Sequence, residues 1–206
     1  MNFPSFTGAN ITQFGKGYNG ASTAYFMATS AVPSLLGGQF SSGTTHSSNI
    51  VFAAAGWTTN TWHHAYFEYD TGTTKWASWF DGTFVVLSGA TVGPVQTGKK
   101  FYIGGLDVNG TPGQLATVSL CDVTVFNGPL QQTEIFNLGK GLIRPNTAMS
   151  RTILGYWPLN GGSPEPDLSG NLNTGAVNGT PAVVADPLFP GPSRRGSSLI
   201  LPWSAA

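Results

Sequence analysis

The chain has 206 residues, of which 40% are hydrophobic, 12% are aromatic and only 9% are charged, and its formal net charge at pH 7 is zero. The hydrophobic content excludes disorder along the whole chain, and the lack of net positive charge or a basic stripe excludes duplex nucleic acid as the expected partner. The 28 glycines and 14 prolines are typical of short strands joined by tight turns, so we predict an all-β domain.

The first part of the chain is predicted to contain short strands separated by turns. Residues 1–16 are irregular and are predicted to be an N-terminal arm or an edge strand. The next strands are predicted at 21–28, 34–40 and 49–55, with a Ser/Gly/Thr turn cluster at 41–48.

The middle of the chain gives the clearest strand pattern. Three strands are predicted in succession, and Asp81-Gly82 between two of them is the strongest short signal for a hairpin. A spacing of about 8–12 residues between strands indicates a sandwich or a barrel. The strands predicted in this part of the chain are 61–69, 75–80, 83–87, 100–104, 114–126 and 153–159.

One short helix is predicted after the strand that ends at Phe126. Asn127 is placed to cap the helix and Pro129 suits its first turn. Gly139 and Gly141 are expected to end it. Apolar residues recur near helical spacing at Leu130, Ile135, Phe136 and Leu138.

The composition changes near the C terminus and divides the chain into three parts. We predict an arm or edge strand at 1–16, a sandwich domain at 17–186 and an extended tail at 187–206, which contains four prolines. An apolar segment beyond a finished domain needs a surface to cover it, either on its own body or on a neighbouring subunit. Apolar residues at both ends are therefore predicted assembly contacts: Phe3, Phe6, Leu199, Ile200, Leu201 and Trp203.

Three segments resemble the laminin-G-like and concanavalin A-like lectin/glucanase family. The first is a Trp-His strand at 62–67 followed by Trp79-Phe80-Asp81-Gly82. The second is the Ile-Gly-Gly run at 101–105, which is followed by 113–126 and then by the predicted helix. The third consists of 155–159 together with Asp-Leu-Ser-Gly-Asn at 167–171. The resemblance implies a jelly roll of two antiparallel sheets. In many relatives the third segment opens the domain, whereas here it comes near the end.

The resemblance suggests two kinds of ligand site. Lectins of this fold bind sugar rings on aromatic faces, and Trp57 and Trp76, which flank predicted turns, are the tryptophans expected to be exposed. Some family members bind calcium through rim Asp and Asn side chains, and Asp107 and Asn109 lie in the predicted 105–113 loop. Short polar side chains also suit an ordinary turn, and the same applies to a second oxygen-rich loop formed by Asp167, Ser169, Asn171 and Asn173.

The histidines and the cysteine are predicted to be structural. His63 and His64 are adjacent on a strand and face opposite sides, so they cannot easily share one ion. His46 is remote, and no histidine or cysteine pair has the spacing of a zinc site. Cys121 lies in an apolar run and is predicted to be a small buried side chain. No metal or other cofactor is therefore predicted, with calcium as the one exception.

A glycosidase of the same fold is the enzymatic alternative. Its glucanase members carry alternating carboxylates along one strand, and Glu68 and Asp70 follow that spacing. Retention of configuration requires two carboxyl groups about 5–5.5 Å apart. The third carboxylate of the family pattern is absent here, because Thr71-Gly72-Thr73 follow in its place. We therefore predict a protein without catalytic activity.

Two functions remain from this sequence. The first is a virion structural protein, such as a bacteriophage capsid decoration or tail-associated protein, whose partners are copies of itself or capsid and tail subunits. The alternative is an extracellular carbohydrate-binding module that recognises a surface glycan. Residues 1–12 lack the features of a secretion signal and no apolar run reaches membrane-span length, so we expect neither general secretion nor a membrane partner.

Overall fold

The structure is a computed structural model. It describes residues 60–89, 100–108, 118–147 and 149–177, together with shorter strand segments between 11 and 53, at 111–113 and between 182 and 205. These residues form strands and one helix, α1, at Gln132–Gly139. The strands in chain order are β1 Ile11–Lys16, β2 Tyr25–Thr29, β3 Leu35–Ser42, β4 Thr45–His46, β5 Ile50–Ala53, β6 Ala65–Asp70, β7 Lys75–Phe80, β8 Thr83–Gly89, β9 Phe101–Ile103, β10 Leu106–Val108, β11 Thr111–Gly113, β12 Val118–Leu120, β13 Val123–Phe126, β14 Ile153–Trp157, β15 Gly175–Ala176, β16 Ala182–Ala185, β17 Arg195–Leu199 and β18 Ser204–Ala205.

Every pairing between the described strands is antiparallel, which confirms the prediction of an all-β fold with one short helix. One sheet has the order β4-β3-β2-β1-β9, with β5 also paired to β3, and another has the order β6-β7-β8. The remaining pairings are β12-β17-β16, β13-β14, β10-β11 and β15-β18.

The two ends of the chain contribute strands to the body. Residues 11–16 of the segment predicted to be an arm or edge strand form β1, which is an inner strand because it pairs with β2 on one side and β9 on the other. Residues 195–199, within the segment predicted to be a tail, form β17 between β12 and β16. The division of the chain at residues 17 and 187 stays a prediction.

The middle strands follow the sequence pattern closely, with one break. Strand β7 has the predicted bounds. The single strand predicted at 114–126 is instead two strands, β12 and β13, because Asp122 between them has a φ of 50°. This left-handed conformation cannot continue a strand.

The helix begins later than the sequence predicts. Asn127 is not its cap, because the Asn127 Oδ1 atom accepts a hydrogen bond from the Thr152 backbone N–H at 3.2 Å. The residue before the helix is Gln131, and the Glu134 carboxylate reaches back to accept from the Gln131 backbone N–H at 2.8 Å. The helix ends at Gly139, as predicted. Among the described residues, no helix has the length and apolar content needed to span a membrane.

Helix α1 packs against one face of the β6–β7 hairpin and closes a small apolar cluster. Three buried residues, Leu130, Ile135 and Leu138, form the centre of this cluster. The partly buried side chains packed against them are Tyr66, Trp79, Phe126, Ile143 and Met149. The side chains on this face of β6 therefore lie between the sheet and the helix.

Candidate functional site

The candidate catalytic carboxylate, Glu68, belongs to a hydrogen-bonded chain under the helix. The Leu130 backbone N–H donates to the Tyr66 hydroxyl at 2.9 Å, and this hydroxyl donates to Glu68 Oε2 at 2.9 Å. Burial raises the pKa of the Glu68 carboxyl, and this effect outweighs the hydrogen bond from Tyr66. The chain of bonds fixes the start of the helix to strand β6, which is a structural role for Glu68.

The second candidate carboxylate, Asp70, organises the turn that follows its strand. Its Oδ2 atom accepts from the Thr73 hydroxyl at 2.8 Å and its Oδ1 atom accepts from the Gly72 backbone N–H at 2.8 Å. These hydrogen bonds lower the pKa of the Asp70 carboxyl. Glu68 and Asp70 thus accept hydrogen bonds from different groups, and the charge of Asp70 adds to the rise in the pKa of Glu68.

Asp81 connects the hairpin turn to the two histidines. Its Oδ2 atom lies 2.9 Å from His63 Nδ1, and its Oδ1 atom accepts from the His64 backbone N–H at 2.8 Å. His63 also stacks on Phe80, with ring centroids 4.8 Å apart. Burial lowers the pKa of His64 to about 4, so its ring is neutral at pH 7. This explains why a Trp-His strand and an Asp-Gly turn occur together.

A second carboxylate network lies between β12, β13 and β14. The hydroxyl of the fully buried Tyr156 donates to Asp122 Oδ1, and Arg144 Nη1 lies 3.5 Å from Asp122 Oδ2. Burial raises the pKa of Tyr156, as does the neighbouring Asp122 charge. Cys121, beside this network, is partly buried, whereas the sequence predicted a buried side chain. The contacts hold the turn between β12 and β13 against β14.

The Asp167 loop, at 167–173, does not fit a calcium site. Four donors occupy its carboxylate: Oδ1 accepts from the backbone N–H groups of Tyr156 and Ser169, and Oδ2 accepts from the Ser169 hydroxyl and the Asn173 backbone N–H. Burial raises the pKa of Asp167, but these hydrogen bonds outweigh burial and lower it overall. A cation would have to displace these donors from the oxygens that it needs as ligands.

The buried Glu165 also has an internal role. Its Oε1 atom accepts from the Asn160 backbone N–H at 3.2 Å, and its own backbone pairs with Gly175. Burial raises the pKa of the Glu165 carboxyl, against the effect of several backbone hydrogen bonds. Within the described part of the chain, no group of three or more His, Cys, Asp or Glu residues is placed to hold a metal ion.

Several residues predicted to bind ligands or partners lie outside the description of side chains. The backbones of Trp76, Asp107 and Leu199 belong to β7, β10 and β17. Asp107 pairs with Pro112, so the predicted 105–113 loop contains a two-stranded hairpin. Outside the described residues altogether are Phe3, Phe6, Trp57, Asn109, Ile200, Leu201 and Trp203. Their proposed roles stay predictions.

The structure identifies two exposed aromatic side chains: Phe84, which the sequence did not single out, and Phe136, which the sequence placed only among the apolar residues of the helix. Phe84 and Phe136 are each about half exposed, at 47% and 46%. They lie at the junction of the helix and the hairpin, because Phe84 contacts Trp79 edge-on at 5.4 Å and the Phe136 backbone meets the Gly82 turn. Phe136 directly follows the buried Ile135, and neighbouring residues of a helix face different directions. The helical spacing therefore indicated that Phe136 points away from the core.

Three leucines on β14 and the Asp167 loop are also exposed, and we call these three residues the leucine patch: Leu154, Leu168 and Leu172. The Asp167 loop that carries two of them is fixed to β14, since the Asn171 and Asn173 side-chain amides both donate to the Leu154 carbonyl. Leu172 is 85% exposed and has a φ of 59°. In the sequence, Leu172 stands between two asparagines in a turn-rich segment, and this position indicated an exposed turn residue.

Comparisons with known proteins agree on the fold. The family model described as the concanavalin A-like lectin/glucanases superfamily matches residues 3–136, which is more than half of the chain. Among solved structures, the chain is similar to the native heptameric SAP-like pentraxin from Limulus polyphemus, with 15% identity and a TM-score of 0.53 over 73% of this chain and 75% of that chain. No curated protein matches. At this identity the structural likeness bears on the fold alone, and it confirms the predicted two-sheet jelly roll.

Proposed function

Because the chain belongs to the concanavalin A-like lectin/glucanase superfamily, we propose that it is a non-enzymatic virion structural protein, such as a bacteriophage capsid decoration or tail-associated protein. Its lectin-like jelly roll is the body that sits on a shell or tail, and its partners are copies of itself or other capsid and tail subunits. It acts in the virion without a resident cofactor.

The observation that carries the proposal is the arrangement of the C-terminal chain. Residues 182–205 supply strands to separate places on the body: β17 pairs with β12, and β18 pairs with β15. Extended segments that complete a sheet by backbone hydrogen bonds are a general means of joining one protein chain to another. The low charge, with only 9% charged residues, suits a surface that is packed among neighbours.

The carboxylates support the non-enzymatic part of the proposal. A carboxylate acts as a general acid, base or nucleophile when it can reach the substrate. Each carboxylate whose side chain the structure describes instead accepts hydrogen bonds within the protein: Glu68, Asp70, Asp81, Asp122, Glu134, Glu165 and Asp167. Hydrolysis of a polysaccharide by the purified protein, abolished by Glu68→Gln, would overturn this part of the proposal.

The test of the assembly role compares two forms of the protein in solution. We expect the full chain to be a defined oligomer by multi-angle light scattering, and a form that ends at Asp186 to be a folded monomer, because it lacks β17 and β18. Circular dichroism checks that the shortened form keeps its strands. If the full chain is a monomer at every concentration tested, self-assembly through the C-terminal strands is refuted.

Carbohydrate binding is the second candidate, and it would place the protein outside the cell. The observation in its favour is that two aromatic rings, Phe84 and Phe136, are half exposed, and that the cation of Lys140 lies 5.7 Å from the Phe136 ring centroid. A glycan array with and without calcium tests this candidate. We expect Phe84→Ala and Phe136→Ala to abolish any glycan signal, whereas Leu142→Ala, which removes an exposed side chain elsewhere, keeps it.

A further inference from the structure

Strand β14 has an outer edge to which a further strand could be added. Among the described strands, β14 pairs with β13 alone, so its other side presents backbone N–H and C=O groups that need partners. The five residues of β14, Ile-Leu-Gly-Tyr-Trp, carry no charge and no proline. Segments of this composition stack readily on one another as strands when their edge is open.

The Asp167 loop occupies the outward backbone groups of Tyr156. The Tyr156 N–H donates to Asp167 Oδ1 at 2.9 Å, and the Tyr156 carbonyl accepts from the Leu168 backbone N–H at 2.8 Å. In a sheet, a neighbouring strand would supply both of these bonds. Here one carboxylate oxygen and one backbone N–H of the loop supply them instead.

Two asparagine side chains bind the carbonyl groups at the start of the strand. The Asn171 Nδ2 atom donates to the Ile153 carbonyl at 3.0 Å and to the Leu154 carbonyl at 3.2 Å. The Asn173 Nδ2 atom donates to the Leu154 carbonyl at 2.9 Å. A side-chain amide supplies the same donor as a backbone N–H, but it does not continue into a ladder that a further strand could join.

The Asp167 loop itself offers no edge that could extend the sheet. Gly170 and Leu172 have φ values of 87° and 59°, a left-handed conformation that a strand does not adopt. An incoming strand would also have to displace the Asp167 carboxylate from its four donors, which is costly for a charged group. Charged side chains directed at an edge and loops that cover it are general means of preventing strand addition.

We propose that the Asp167 loop closes the outer edge of β14 and so prevents strands of other chains, including further copies of this one, from pairing there. The Asp-Leu-Ser-Gly-Asn segment then has the function of keeping the folded protein from open-ended association. The inference goes beyond the assembly role and holds whether the native protein is a monomer or a defined oligomer.

Removal of the two side-chain amides tests the proposal. The double variant Asn171→Ala/Asn173→Ala loses the donors to the Ile153 and Leu154 carbonyls. We expect hydrogen exchange of the Tyr156 backbone N–H to become about tenfold faster than in the wild type, because the loop leaves the edge more often. We also expect growth that binds thioflavin T and exceeds the wild-type mass in light scattering.

Two controls separate an open edge from a general loss of stability. Asn160 is also exposed, and its hydrogen bond to Glu165 comes from the backbone N–H, so Asn160→Ala should behave as the wild type. A Cβ atom at Gly139 would lie 2.1 Å from the Gly82 backbone nitrogen, so Gly139→Ala destabilises the protein at helix α1 and leaves the Asp167 loop intact. We expect it to stay at the wild-type mass at a temperature where circular dichroism shows every variant to be folded.

Three results would overturn the proposal. Unchanged exchange at Tyr156 in the double variant would show that the amides do not hold the loop on the edge. Faster exchange without growth beyond the wild-type mass would show that the open edge attracts no strand. Equal growth of Gly139→Ala would show that growth follows loss of stability. If the double variant does not fold, Asn173→Ala, which keeps the bonds from Asn171, is measured against the same outcomes.

Discussion

Glu68 has a contact in the fold that its sequence spacing does not indicate. Its spacing from Asp70 imitates the alternating carboxylates of the family's glucanases. The structure instead places Tyr66 between Glu68 and the backbone of Leu130, which is 64 residues from Tyr66 in sequence. A contact over that separation leaves no trace in the local pattern, so the sequence alone could not assign this role.

The raised pKa of Glu68 gives a prediction with a definite sign. A carboxyl whose folded pKa lies above its ordinary value favours the folded state in its protonated form, and this contribution is lost as the pH rises from about 4.5 through the folded pKa. Glu68→Gln stays neutral and does not lose it. We compare the two proteins by the difference in melting temperature, Glu68→Gln minus wild type. We expect this difference to increase by on the order of 2 °C between about pH 4 and pH 7.

Asp70→Asn is the control with the opposite sign. The pKa of Asp70 is lowered by its bonds to Thr73 and Gly72, so its ionised form favours the folded state and the benefit is present above the ordinary pKa. The difference in melting temperature between Asp70→Asn and the wild type should therefore stay nearly constant between about pH 4 and pH 7, and should shift in favour of Asp70→Asn only below the ordinary pKa of 3.8, where the wild type loses this benefit. Parallel curves for the wild type and Glu68→Gln would show that burial does not perturb Glu68.

Two glycines determine how helix α1 sits on the hairpin. A Cβ atom added at Gly139 would lie 2.1 Å from the Gly82 backbone nitrogen, and one added at Gly82 would lie 2.9 Å from the Phe136 carbonyl oxygen. Gly82 also has a φ of 76°, which side chains disfavour. The helix therefore meets the Asp81-Gly82 turn backbone to backbone, and this contact explains why glycine occurs at both places.

Replacing Gly139 should separate these two elements. We expect Gly139→Ala to lower the free energy of unfolding by about 2–3 kcal/mol, because overpacking of a close contact forces the backbone to shift. Urea denaturation measures the change. Gly128→Ala is the control, because its nearest new contact is the Arg151 side chain at 3.6 Å, and it should be close to neutral. Equal stability of the two variants would contradict the close backbone contact.

Elements with complete local signals were predictable from the sequence, and elements decided by distant contacts were not. Strand β7 has turns on both sides, and its bounds were predicted correctly. Apolar residues run through 114–126 without a turn dipeptide, so the break at Asp122 was hidden. The start of the helix was misplaced because Asn127, a good capping residue, binds Thr152, which is 25 residues away. The role of Asp167 in fixing its loop likewise depends on a distant partner, Tyr156.

At the scale of the molecule, association should depend little on charge. The net charge is zero and only 9% of residues are charged. Ion pairs among the described residues are internal, as between Arg144 and Asp122. Salt screens exposed charges over about 10 Å at 0.1 M, but here few charges are available for screening. Any interface between copies must therefore depend on apolar contact and backbone hydrogen bonds.

Leu172 allows stability and association to be changed in opposite directions by one substitution. Leucine is disfavoured at its φ of 59°, whereas asparagine tolerates the left-handed region. Leu172→Asn should therefore raise the free energy of unfolding of the monomer by about 0.5–1 kcal/mol. If the leucine patch is the contact between copies, the same change should weaken association about tenfold, since it removes an exposed apolar anchor.

Chemical denaturation of the form that ends at Asp186 measures the first effect, and the concentration dependence of light scattering on the full chain measures the second. Leu142→Asn is the control, because Leu142 is 66% exposed but lies outside the patch and has no positive φ to relieve. It should change neither quantity by much. If Leu172→Asn stabilises the protein but leaves association as tight as in the wild type, the interface lies elsewhere. In that case the substitution has relieved the backbone strain of the loop without weakening the contact between copies.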